Sequence, residues 1–389
     1  MRLLVVARRY WPLVGGAVTA LSSLVHALQQ EGARATVVTA QWDRNWPYVI
    51  EHRGARVVRL PYSAERPWAE WRYGTRLAHY VRRNAREFDL ALVASLRYDA
   101  ASVLSSLVGS RVPVILTSLG DSLSGELRWQ VETRPGRHVR RQCLSATAYI
   151  AGNHSLGDAF RQCGYPSNRI HIIPPGVAIP PPRTEKRRVA ARRMLGAIHT
   201  DLDLDDEAPL AVYVGRLEAD RGLLDLVQAW EEVAAWRPQA RLWLVGDGPQ
   251  LPELNATLAS RGLLPYVRLP GAFDSIGEVL DAADAFVSPS LRENASVALL
   301  EAMAAGLPVL AVDSPGNRLL INHLTDGLLT PPQHPRALAS ALRTLLDHAS
   351  LAQRLGDAAR HRVKNEFALG QIAQIHSELF AQLIADQRV

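Results

Sequence analysis

Short apolar runs alternate with helical patterns along the whole chain. Residues 3–6 form an all-apolar run of strand length, and Trp11-Pro12-Leu13-Val14-Gly15-Gly16 breaks it. Residues 17–31 then carry Leu21, Leu24, Val25 and Leu28 at the spacing of one helix face. Gly32 closes that helix, and strand-like runs follow at 35–39, 56–60, 90–94, 114–117, 149–151 and 170–173. After a break the alternation restarts, with strand-like runs at 211–214, 241–245, 267–269, 285–287, 308–312 and 327–329. Helical patterns fall at 223–236, 252–261 and 335–348, and the last forty residues read as helical. Runs that are apolar throughout suit strands buried on both faces. Their alternation with helices predicts parallel sheets covered on each side.

The break is Pro-rich, from Pro174-Pro175-Gly176 to Pro180-Pro181-Pro182. The expected architecture is α/β: two Rossmann-like doubly wound domains, residues 1–180 and 181–370. Ligands of open parallel sheets bind at the carboxyl ends of the strands. Two such halves facing each other would place a ligand in the cleft between them.

One stretch carries the most chemistry. After the run at 285–287, Pro289 ends the strand, and Asn294 or Ser296 can cap a helix that Gly306 and Pro308 stop. Glu293 falls in the loop before the helix N-terminus, and Glu301 about two turns in. Unpaired N–H groups and the positive end of the dipole favour an anion there. An anion site between two carboxylates has the shape of a sugar nucleotide: hydroxyls, diphosphate, ribose hydroxyls. A buried helix with a solvated Glu at each end is the plain alternative for this stretch alone.

Gly215-Arg216-Leu217-Glu218-Ala219-Asp220-Arg221-Gly222 puts two guanidiniums at a strand end, suited to diphosphate oxygens or to a solvated turn. Gly246-Asp247-Gly248 is a sharp loop after another strand, and Gly15-Gly16 opens the first helix without a G-x-G-x-x-G fingerprint. Asp121, after the run at 114–117, is either a cleft-facing polar group or a turn Asp. The acidic run 201–206 lacks the Gly and Glu of a calcium loop and reads as solvated. No metal site is expected.

Charge changes the picture of the first half. Residues 1–180 hold 23 Arg against 12 carboxylates, a balance of +11, while residues 181–389 hold 21 Lys and Arg against 26, giving −5 and a total of +6. A membrane surface, a phosphorylated acceptor or nucleic acid would suit such a half, and so would a plain solvated Arg surface. Arg alternates with Trp68, Trp71, Tyr73 and Trp129 in two segments, 66–86 and 128–141, a pattern compatible with a lipid headgroup layer. Two cysteines, Cys143 and Cys163, fit a reducing cytoplasm rather than a disulfide framework. The N-terminal run is short for a signal peptide and reads as a buried strand.

Taken together these motifs resemble the retaining glycosyltransferases of family 4, the group 1 family with the GT-B fold. The resemblance rests on Glu293-x7-Glu301 with its following Ala-Met-Ala-Ala-Gly-Leu-Pro, the Gly215–Gly222 motif, Gly246-Asp247-Gly248, Ile173-Pro174-Pro175-Gly176-Val177 and Gly15-Gly16. It implies hexosyl transfer from a nucleotide-diphosphate sugar, a UDP- or GDP-sugar, to a hydroxyl acceptor in cell-envelope, polysaccharide or glycolipid synthesis. It also implies no metal or other cofactor, and no nucleic-acid partner. Glu293 would hold the sugar hydroxyls, Asn294, Ala295, Ser296 and Val297 would offer amides to the diphosphate, and Glu301 would hold the ribose. Arg216 and Arg221 would neutralise the diphosphate, with Gly15, Gly16, Gly215, Gly246 and Asp247 lining the donor. Asp121 is the remaining catalytic candidate. A C-terminal helix, 371–389, would return to the first domain. Arg221 replaces the usual Lys, and Leu119 stands where family members commonly carry His. That departure keeps open a catalytically weak nucleotide-sugar-binding partner subunit, beside a GT-B sugar phosphorylase. The expected location is cytoplasmic, with peripheral contact at the inner membrane face through the basic half and an acceptor that is lipid-linked or anionic.

Overall fold

The computed structural model describes residues 1–13, 15–65, 68–118, 125–291 and 296–387. The chain divides into two compact units. The first comprises Met1–Leu13, Ala17–Gly176 and Leu369–Val389, and the second is chiefly Val177–Ala368.

The first unit is built on one sheet. Its strands are β1 (Arg2–Val6), β2 (Arg34–Gln41), β3 (Val49–His52), β4 (Ala55–Pro61), β5 (Leu90–Val93), β6 (Val114–Thr117), β7 (Ala148–Ala151) and β8 (Ile170–Ile172). Their order is β3-β4-β2-β1-β5-β6-β7-β8. Every pairing is parallel except that of β3 with β4. Sequence periodicity misses β3, because its four residues, Val-Ile-Glu-His, are all partly exposed and form no apolar run. The turn that makes it, Arg53-Gly54, has positive φ at both residues, 49° and 80°, as a tight hairpin requires. Along β1 the side chains alternate: Leu4 and Val6 enter one core, Leu3 and Val5 the other. The last helix, Leu369–Asp386, belongs to this unit and packs Ile372, Ala373 and Phe380 against Leu3 and Val5.

The second unit holds β9 (Leu210–Val214), β10 (Arg241–Val245), β11 (Val267–Gly271), β12 (Ala285–Ser288), β13 (Val309–Val312) and β14 (Leu328–Thr330). All pair in parallel, in the order β11-β10-β9-β12-β13-β14. This is the doubly wound Rossmann order, and its strand sequence reverses between β9 and β12. At the amino edge of this sheet Arg192 is a buried staple. Its guanidinium donates to the carbonyls of Ala282, Asp205, Asp206 and Ala208 and pairs with Asp284 at 2.8 Å. Asp284 also accepts from the Leu210 N–H at 2.9 Å, so it joins the starts of β9 and β12. The acidic run at 201–206 thus presents backbone carbonyls to an arginine.

Candidate functional site

The reversal between β9 and β12 brings the loops after these strands to one edge, where doubly wound sheets hold ligands. The loop after β9 is locked to the loop after β10. The Gly215 N–H donates to Val245 O, Leu217 N–H to Asp247 O and Gln250 N–H to Leu217 O, all at 2.9–3.0 Å. Gly246 has φ +146°, and a Cβ there would collide with the Gly215 carbonyl. Gly222, at φ +66°, lies so close to the Pro289 carbonyl after β12 that a Cβ would collide there too. The two positions therefore need glycine for both backbone angle and space.

Arg216 and Arg221 emerge from this locked loop. Arg216 is held from below by its own carbonyl, which accepts from the Tyr213 hydroxyl at 2.8 Å. Its guanidinium is half-exposed and reaches Glu218 at 2.6 Å, a partner that sequence reading passed over. Arg221 ends the short turn Ala219–Arg221 and is buried, with Nε 3.8 Å from Asp220. The Asp247 carboxylate accepts from the neighbouring Gly248 N–H at 2.8 Å and so shapes its own loop.

After β12 the chain reaches the helix Val297–Ala305. Ser296 caps it, its hydroxyl accepting from the Leu299 N–H at 3.2 Å, and Gly306 ends it at φ +81°. Glu293, Asn294 and Ala295 lie outside the described residues, as do Asp121 and Leu119. Within the helix Glu301 is the only polar side chain, beside the fully buried Leu300, Ala302 and Met303. It makes no hydrogen bond or ion pair among the described residues, and burial pushes its carboxyl up to about 7. Sequence reading also passed over Ser290 and Asn317. Ser290 is fully buried, and Asn317 Nδ2 donates to Val312 O at 2.8 Å and to Ser290 O at 3.5 Å. Asn317 thereby ties the loops after β12 and β13 together. The available signal was a run of small and polar residues directly after a strand.

Of the expected site residues, Gly215, Arg216, Arg221, Gly246, Asp247, Ser296, Val297 and Glu301 belong to the strand-end loops or the helix at this edge. Gly15, at φ +149°, precedes the helix Gly16–Gln30 that follows β1, and Gly16 is its first residue. In the first unit, polar groups gather at the carboxyl ends of β1, β5 and β6. Arg8 pairs with Asp99 at 2.9 Å and with Glu70 at 2.6 Å. Glu126 accepts from Ser95 at 3.1 Å and Ser118 at 2.8 Å, while burial pushes its carboxyl pKa up.

The arrangement offers cations and a helix N-terminus at a strand edge, followed by a carboxylate with no partner among the described residues. Residues 14–179 match the model of glycosyltransferase family 4, and residues 208–348 that of the glycosyl transferases group 1. The chain is 26% identical over 251 residues to alpha-D-kanosaminyltransferase of Streptomyces kanamyceticus, a match covering 62% of each protein. The sucrose-phosphate synthase of Thermosynechococcus elongatus superposes with a TM-score of 0.81 at 23% identity, covering 99% of both chains. Anabaena HepE, solved in complex with UDP-glucose, superposes with a TM-score of 0.77 at 20% identity, covering 98% of this chain and all of its own. Two family models that follow one another along the chain, each on its own Rossmann-like unit, show that the protein belongs to glycosyltransferase family 4, the group 1 family with the GT-B fold.

Proposed function

We propose that this protein is a hexosyltransferase that takes its sugar from a UDP- or GDP-sugar and passes it, with retention of anomeric configuration, to a hydroxyl acceptor. Glu301 carries the proposal. It is a half-buried carboxylate without a partner among the described residues, on the helix that follows β12, with Arg216 and Arg221 on the loop after β9. Ribose hydroxyls would donate to Glu301, and the diphosphate would lie between the helix N-terminus and the two guanidiniums. The UDP-glucose in the HepE complex supports a nucleotide-sugar donor of this kind.

In transfer, the bond from the anomeric carbon to the diphosphate oxygen breaks, and negative charge develops on the leaving diphosphate. Fixed cations and amides stabilise that charge, and no metal is required. The acceptor oxygen attacks on the face the diphosphate leaves, and a phosphate oxygen takes its proton. Glu293 would hold the hydroxyls of the transferred sugar. The acceptor belongs to cell-envelope, polysaccharide or glycolipid synthesis and is lipid-linked or anionic. The enzyme works in the cytoplasm.

The test is thermal stabilisation by UDP-, GDP-, ADP- and dTDP-sugars, followed by nucleotide release. A ligand at about 100 times its Kd adds roughly 2.7 kcal/mol. Stabilisation by one nucleotide sugar with slow release supports the transferase. Stabilisation with no release, even with acceptors present, points to a binding subunit, the reading that Leu119 favours. No stabilisation by any nucleotide moves the assignment to a phosphorylase.

A further inference from the structure

The arginine excess of the first unit is one-sided. Three helices, Ala69–Asn84, Tyr98–Ser106 and Arg134–Cys143, send Tyr73, Leu77, Val103 and Val139 into the same core on one face of the first sheet. Four arginines lie on Ala69–Asn84 and four on Arg134–Cys143. The carboxylates of these three helices are Glu70 and Asp99, and both are ion-paired to Arg8. The helices Glu126–Glu132 and His154–Gln162 send Leu127, Leu156 and Phe160 into the same core and add Glu126, Glu132 and Asp158. Glu132 and Asp158 are ion-paired to Arg128 and Arg161, and Glu126 accepts from Ser95 and Ser118. The helices on the other face, Gly16–Gln30 and Leu369–Asp386, contain no Arg or Lys. A surface that used Arg only for solubility would not divide this way.

The outer face of Ala69–Asn84 reads Trp68, Trp71, Arg72, Arg76, His79 and Arg83, spaced at three and four residues with no carboxylate among them. Trp68 is 80% exposed and Trp71 58%. Beside this helix a groove of about 620 Å³ runs to the edge of the sheet, lined by Tyr48, Pro61, Arg76, His79, Tyr80 and Arg83 among others. Among the described residues no carboxylate lines it. Arg76 donates to the Pro61 carbonyl at 2.6 Å, while His79 and Arg83 make no side-chain hydrogen bond or ion pair among the described residues.

We propose that this helical face docks on an anionic lipid bilayer, with Trp68 and Trp71 at the headgroup boundary and the groove receiving a lipid headgroup phosphate. Cations complement anionic headgroups, and indole rings favour a boundary that is apolar on one side and wet on the other. A soluble polyanion would be served by the arginines but leaves the two exposed tryptophans unexplained. A second copy would set like charges against each other. Among the described residues no helix is long and apolar enough to cross a membrane, so the contact is with its surface.

The experiment is co-sedimentation of the full chain with vesicles of phosphatidylcholine and phosphatidylglycerol in equal parts, against phosphatidylcholine alone. Binding is expected only with phosphatidylglycerol. Arg76→Glu with Arg83→Glu should lower it by at least roughly 30-fold, about fivefold for each cation lost. Arg336→Glu in the second unit, where the arginine is 93% exposed, should leave it unchanged. Brominated lipid should quench the wild type, and Trp68→Phe with Trp71→Phe should remove that quenching. The proposal is overturned by equal binding to both vesicles, by equal loss in the Arg336 variant, or by the absence of bromolipid quenching. Heparin binding without vesicle binding, or a dimer that the Arg76 and Arg83 changes dissolve, overturns it as well. The proposal stands apart from the donor chemistry: vesicle binding and nucleotide stabilisation are separate measurements, and either can fail alone.

Discussion

Glu301→Gln should make the protein more stable and a poorer nucleotide binder at the same time. Burial raises this carboxyl from 4.5 to about 7. A raised carboxylate pKa means that the folded state holds the proton more tightly than the unfolded chain. The penalty is absent below pH 4.5, grows as the pH rises, and is complete above about 7. Its size is at most about 3 kcal/mol, less where the half-buried group finds solvent. Gln cannot ionise and carries no such penalty, so the unliganded variant should gain stability at pH 8 and show no gain near pH 4. Binding moves the other way. Hydrogen bonds to a charged group contribute about 1.5–3 kcal/mol, so replacing the carboxylate should cost roughly 10- to 150-fold in nucleotide affinity. If only the ionised form accepts the ribose hydroxyls, wild-type affinity should tighten about tenfold between pH 6 and pH 8, and the variant should be flat. Urea denaturation of the free protein at both pH values, with nucleotide titration calorimetry, reads each effect. Unchanged affinity, or a variant less stable than the wild type at pH 8, would refute the assignment of Glu301.

Glu293→Ala should abolish transfer while nucleotide still binds; normal turnover would remove Glu293 from the sugar site. Transfer should persist in EDTA, and a strict manganese requirement would overturn the metal-free mechanism. Arg192→Met should cost about 3–5 kcal/mol in urea denaturation, because Asp284 and four carbonyls lose a buried donor; a loss under 1 kcal/mol would show that water replaces it. Gly246→Ala should cost about 2 kcal/mol or more, since the methyl meets the Gly215 carbonyl at a strained φ. That variant should also weaken nucleotide binding, and a neutral result on both counts would mean that the two loops are not coupled.

The parallel strands were legible because strands buried on both faces are apolar throughout, which makes β9 and β12 stand out from their surroundings. Strand β3 was not, since an edge strand exposed along its length needs no apolar run. In the site, Glu301 was legible as the one carboxylate in an apolar helix, and Ser296 as one of two candidate caps. The Arg216–Glu218 pair and the Asn317 tie were not: each depends on how loops of different strands meet, and spacing along one segment carries no trace of that. The collision that Gly246 avoids is of the same kind, because its partner is a backbone atom thirty-one positions away.

The basic half shows how a one-dimensional bias becomes a surface. Parallel crossovers are right-handed. In the first sheet the chain moves outward from β1 through β2 to β4, then returns to β5 beside β1 and proceeds the opposite way. A fixed hand with a reversed direction places the helices before and after the return on opposite faces. The helix before it, Gly16–Gln30, has no arginine. The helices Ala69–Asn84 and Arg134–Cys143 come with or after it, and they hold four each. A charge imbalance spread along the sequence is therefore folded into an imbalance across the sheet. The strand order converts it, and arginine content alone could not have distinguished a docking face from a solvated shell.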